Sequence, residues 1–89
     1  MIEDIDKKII QEISRKYNVK RVLLFCSSLD PNRESHDIDL AVDGIIDKDF
    51  FKFHGDLLLK LSKPVDLIDL FVPSKFTSII EQEGVCIYG

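Results

Sequence analysis

Two carboxylates set one residue apart at the head of an apolar run, Asp37-Ile38-Asp39-Leu40-Ala41-Val42, constrain this chain more than any other stretch. In a strand, residues two apart share a face. Asp37 and Asp39 then project side by side, with Ile38, Leu40 and Val42 on the opposite face. Carboxylates held that close repel unless a cation lies between them. An all-oxygen donor set suits a hard cation such as Mg2+, which is usually held by one or two carboxylates plus substrate phosphates. A second apolar run, Val22-Leu23-Leu24-Phe25, precedes the pair, and a polar turn rich in Ser, Asp, Pro and Asn joins them. Ser27 and Ser28 open that turn, where hydroxyls and turn N–H groups can meet phosphate.

The remainder of the chain supplies cover for these strands. Ile2, Ile5, Ile9, Ile13 and Tyr17, with Ile10 alongside, recur at helical spacing and predict an amphipathic helix over residues 2–17. Asn18 is its stop. The continuous apolar strand over 20–26 implies cover on both faces. A second strand runs over 37–43 and ends at Asp43-Gly44. Asp47 is the expected cap of a helix over 48–62, with Phe50, Phe51, His54, Leu57, Leu58 and Leu61 inward. Gly55 inside that helix is expected to mark close packing. Pro64 stops it. A third strand over Val65–Val72 places Asp66 on the face of Ile68 and Leu70, with Asp69 opposite. A short helix over 74–83 turns Phe76, Ile79 and Ile80 inward and ends at Gly84. Val85-Cys86-Ile87-Tyr88 reads as an edge strand. The order helix, strand, strand, helix, strand, helix, strand makes one α/β domain over 1–89, a mixed sheet of about four strands with helices packed against it.

Charge and cysteine usage narrow the function classes. The net charge is −4, from 16 acids and 12 bases. No Lys/Arg-rich run is present, which disfavours a long nucleic acid as partner. No apolar run is long enough to span a bilayer. Cys26 and Cys86 have neither metal-ligand spacing nor a disulfide framework, so a reduced, cytoplasmic protein is expected. His36 reads as a solvated turn residue and His54 as a helix-face residue. Asp69 caps or pairs, and Tyr88 packs at the edge. The Phe50, Phe51 and Phe53 cluster reads as core, with one surplus aromatic able to serve as a partner patch.

An Asp-x-Asp alone is a weak signal. Here it follows a strand and a serine, with Ser27 ten positions before Asp37, and a third acid, Asp66, enters a later strand. The combination resembles the nucleotidyltransferase superfamily of the DNA polymerase beta type, most closely its minimal nucleotidyltransferase branch. That family's pattern is Gly-Ser, a linker, Asp-x-Asp and a later carboxylate. Two departures stand out: the family's Gly is Cys26, and Ser28-Leu29-Asp30-Pro31 replaces the Arg and Gly that often follow the family's Ser.

The resemblance implies transfer of a nucleoside monophosphate, AMP from ATP, to an acceptor hydroxyl. Asp37, Asp39 and Asp66 would be the catalytic and metal-holding residues for two Mg2+ ions about 3.5–4 Å apart. Ser27, Ser28 and Arg33 would hold the triphosphate, and Asp66 would orient or deprotonate the acceptor. Within that branch the chain resembles antitoxins that adenylylate a HEPN-type toxin. A HEPN-type toxin is thus the expected partner, and a homo-oligomer is left open. The alternative is a degenerate module that neutralises such a toxin by binding alone. Gly at the position of Cys26 lets backbone N–H groups approach phosphate, whereas a Cys side chain obstructs them.

Overall fold

The computed structural model describes residues 3–25 and 37–89, the Phe76 side chain excepted. Its first helix, α1 (Asp4–Lys16), carries Asp4 and Asp6 in the first turn and Arg15 and Lys16 in the last, charges that oppose the helix dipole at each end. Asn18 stops it in a left-handed turn, with φ 56°. The Asn18 N–H donates to Arg15 O and the Val19 N–H to Ser14 O, both at 3.2 Å. Those two bonds satisfy carbonyls the helix leaves unpaired. The turn delivers Val19 into the core and starts the first strand.

Four strands form one mixed sheet: β1 (Arg21–Leu24), β2 (Ile38–Asp43), β3 (Val65–Asp69) and β4 (Val85–Tyr88), in the order β3-β2-β1-β4. β1 is antiparallel to β2 and β4, and β2 is parallel to β3. Parallel neighbours need a crossover, which α2 (Asp47–Lys60) provides. Gly44 opens it at φ +79°, where an added Cβ would lie 2.5 Å from Lys20 Cβ. The register of β4 slips between Val22 and Leu23. Gln11 Nε2 reaches across from α1 to donate to Ile87 O at 3.0 Å.

Strand alternation sorts the apolar residues onto two faces. Val22, Leu24, Ile38, Leu40 and Val42 join Ile10, Ile13, Phe53, Leu57 and Leu61 in the larger buried cluster, under α1 and α2. Leu23, Phe25 and Ala41 join Ile80 of α3 (Lys75–Glu83) in a small cluster on the other face. β1 is thus covered on both faces, as its unbroken apolar character requires.

Several expected inward positions are corrected. On α1 the buried positions are Asp6, Ile10, Ile13 and Ser14, while Ile5 is exposed. Asp6 takes a core-facing place because the Ser62 N–H and hydroxyl donate to its carboxylate at 3.2 and 2.6 Å. A buried carboxylate is tolerated when so bonded. On α2, Phe53 and Leu57 are the buried residues, and Phe51 and Leu58 point outward. The inward line runs Phe53, Leu57, Leu61, four residues apart, and Phe51 and Leu58 lie across the helix from it.

Asp47 is not the cap of α2. The N-cap is Ile46, without a side-chain bond, and Asp47 with Asp49 supplies first-turn charge instead. Nor does Gly55 mark close packing, because a Cβ added there meets nothing within 4 Å. β3 ends at Asp69 rather than Val72, because the Asp69 carboxylate accepts the Phe71 N–H at 2.9 Å and turns the chain. On α3 Ile80 is buried but Ile79 is exposed, and Phe76 lies outside the described side chains. Ser74 caps α3 in a reciprocal capping box with Thr77. Gly84 ends α3 in extended conformation, not left-handed. Glycine is needed there for approach, since a Cβ would lie 2.6 Å from Ile80 O.

Candidate active site

The parallel pairing of β2 and β3 places the acids. Asp39 is the register partner of Asp66, between the pairs Ile38–Val65 and Leu40–Leu67. Register partners in a parallel pair point to the same face of the sheet, and neighbouring strands lie about 4.8 Å apart. That face carries Ala41, Ile68 and the small cluster under α3, not α1 and α2. Asp37, two residues before Asp39, precedes β2 on the same side. Asp37 and Asp66 are exposed, and Asp39 is half-buried between Ile38 and Leu40.

Backbone bonds hold this end of the sheet. The Ile38 N–H donates to Pro64 O at 2.8 Å, and the Phe25 N–H donates to Asp39 O at 3.2 Å. The first sets where β3 begins beside β2. The second brings Phe25, just past the end of β1, next to Asp39. His54 Nε2–H donates to Val65 O at 2.7 Å, tying α2 to the residue before Asp66. His54 is therefore a positioning contact from the opposite layer.

The carboxylates share a face without converging. Among the described residues, no three His, Cys, Asp or Glu side chains stand close enough to hold one metal ion. The donor chemistry suits Mg2+, since every candidate atom is a carboxylate oxygen. Ser27, Ser28 and Arg33 lie outside the described residues, as do Cys26, Asp30 and His36.

Two clasps that sequence periodicity does not reveal tie the elements together. Tyr17 Oη–H donates to Asp56 at 2.8 Å and Lys16 Nζ lies 3.2 Å from the same oxygen. The Tyr17 hydrogen bond, and then that of Lys16, lower the Asp56 pKa. Bonding to Asp56 raises both Tyr17 and Lys16. Arg21 reaches Asp43 at 2.9 Å and Glu81 at 2.6 Å, and these bonds, Asp43 first, raise its pKa. The first clasp joins α1 to α2, and the second joins β1 to β2 and α3. The signal available in the sequence was only that Asp56 and Glu81 lie on helices facing bases; the pairing needed the fold.

Solved structures share this fold. A crystal structure of a toxin–antitoxin with AMP-PNP matches with a TM-score of 0.74 at 23% identity, over 93% of this chain and 73% of that one. The toxin–antitoxin MntA–HepT matches with a TM-score of 0.72 at 22% identity, over 98% and 73%. A tri-AMPylated Shewanella oneidensis HEPN toxin in complex with its MNT antitoxin matches with a TM-score of 0.73 at 22% identity, over 99% and 73%. Among curated proteins nothing matches. The family model for polymerase beta nucleotidyltransferases runs through residues 7–89, the sheet and its acids included, and this chain belongs to that family.

Proposed function

We propose that this chain transfers AMP from ATP to a hydroxyl of a partner protein, as the antitoxin of a HEPN-type toxin. The observation that carries the reading is the register of Asp39 against Asp66, with Asp37 immediately before β2. The similar structures support the partner class: one contains a HEPN toxin already AMPylated, with an MNT antitoxin bound.

In this reading Asp37, Asp39 and Asp66 would hold Mg2+, which would supply charge neutralisation for the triphosphate and the leaving pyrophosphate. Asp66, exposed on β3, orients the acceptor hydroxyl and takes its proton. The acceptor oxygen bonds to the α-phosphorus, and the bond from that phosphorus to the bridging oxygen of pyrophosphate breaks. Ser27, Ser28 and Arg33 bind the triphosphate. The Phe25 N–H donates to Asp39 O, so the described end of the chain before Ser27 lies beside Asp39.

The test uses the cognate partner, ATP and Mg2+, with mass spectrometry of the partner. AMP is expected on the partner with wild type, and 10²- to 10⁴-fold slower with Asp66→Asn, while complex formation is unchanged. If the partner is neutralised without added AMP, and equally well by Asp66→Asn, the chain is a binding module and the transferase reading fails.

A further inference from the structure

We infer that the outer stripe of α2, formed by Phe51, Gly55, Leu58 and Leu59, docks an amphipathic helix of another protein whose apolar line is flanked by carboxylates. Phe51 is 80% exposed, Leu59 85% and Leu58 47%. Spacings of three, four and seven residues make them one continuous strip on the helix. Phe50 braces the Phe51 ring edge-on, with centroids 5.7 Å apart at 88°. A ring held in place loses little freedom on binding and suits an anchor.

Gly55 identifies the occupant as a backbone-rich element. Among the described residues nothing gives it a task, because none lies within 4 Å of an added Cβ. Glycine weakens a helix interior, so its place in the middle of an apolar strip needs a reason from outside. Helix axes approach according to the side chains at their crossing, and glycine permits the closest approach.

Charge identifies its flank. Lys48 and Lys52 are exposed on the side of α2 that carries Leu59, and among the described residues neither forms an ion pair. A second copy is a poor occupant. Antiparallel self-pairing sets like flanks together, which brings Lys48 and Lys52 of both copies into one seam. A lipid surface also takes basic apolar helices, but it has no use for a glycine notch. Aspartates and glutamates beside the apolar line of a partner helix answer both the lysines and the notch. α2 lies across the sheet from Asp39 and Asp66, so a helix docked there leaves the acids uncovered. The inference goes beyond the transfer reading and does not rest on it.

The test is site-specific photo-crosslinking in the source cells, with Phe51→p-benzoylphenylalanine, mapped by mass spectrometry. The expected product joins position 51 to one protein, within a helical segment that has an apolar repeat and flanking Asp or Glu. Lys48→Glu with Lys52→Glu should lower the yield at least tenfold, and Gly55→Leu should do the same. Gly55→Ala serves as the control for folding: it should keep or raise the melting temperature of the free chain and still lower the yield severalfold. The inference is overturned by crosslinks to a second copy or to lipid alone, or by a mapped segment lacking carboxylates. Yields no higher than with the same probe at exposed Glu12 overturn it too, as do yields indifferent to the Gly55 and lysine changes.

Discussion

The two faces of the sheet are built to different standards. Under α1 and α2, seven strand residues, Val65 and Ile87 among them, meet a close-packed set that includes Ile10, Ile13, Phe53 and Leu57, all buried. On the other face, among the described residues, Leu23, Phe25, Ala41 and Ile80 form a smaller buried cluster, and Asp39 and Asp66 stand beside it. The first face holds the fold, and the second presents charge. The difference teaches why the acids are affordable there. A carboxylate near water carries little desolvation penalty, whereas the same group under α1 needs full bonding, as Asp6 obtains from Ser62.

The sharpest way to break this contrast is to cut into the helix-covered face. Phe53→Ala should cost about 3–5 kcal/mol, a large part of what a small domain has. Urea denaturation measures it. A loss below about 1 kcal/mol would mean that the buried cluster is not where stability resides.

The opposite face should respond to ligand more than to mutation. Mg2+ with ATP at a hundred times the dissociation constant should stabilise the chain by about 2.7 kcal/mol. Asp37→Asn with Asp39→Asn should abolish that gain while moving the unliganded midpoint by less than about 1 kcal/mol. An equal ligand shift in the double variant removes both acids from the site.

Gly55 sharpens the contrast within α2 itself. Gly55→Ala should stabilise the free chain by about 0.5–1 kcal/mol, since the added methyl meets open space. A destabilised variant in thermal melts would show that the outer side of α2 is covered by the chain itself.

The smallest effect belongs to the α1–α2 clasp. Tyr17 and Lys16 have pKa values raised above their ordinary 10.0 and 10.5 by bonding to Asp56. Their contribution is complete below those values and is lost as pH rises through the folded-state ones. Asp56 is lowered from 3.8, so its contribution is present above that value and is lost as pH falls through its folded-state pKa. Tyr17→Phe should flatten the alkaline limb of a plot of melting temperature against pH, and an unchanged limb would assign the alkaline loss to other groups.

How much of this was legible beforehand differs by element. The strands at 21–24 and 38–43 and the helix stop at Asn18 follow from local rules: an unbroken apolar run for the first, period-two alternation from Asp37 for the second, and a residue that accepts left-handed φ for the stop. The inward line of α2 was misread. Phe50, Phe51, Phe53, Leu57, Leu58, Leu59 and Leu61 surround that helix, and an apolar residue on nearly every side leaves no phase to read. The end of β3 was missed for a similar reason. Leu70, Phe71 and Val72 look like strand, and only the Asp69 carboxylate bonding the Phe71 N–H shows the turn.

By itself the sequence determined the order of elements, the alternation that puts Asp37 and Asp39 opposite Ile38 and Leu40, and the candidate third acid. These are properties of neighbours along the chain, where side-chain direction repeats with the backbone. Only the tertiary structure decided that β3 lies parallel beside β2 with Asp66 in register with Asp39. It alone turned Phe51, Leu58 and Leu59 to the outside. Register between strands distant in sequence depends on how a crossover helix seats, and that seat is chosen by packing against α1 and the sheet together, which no local pattern encodes.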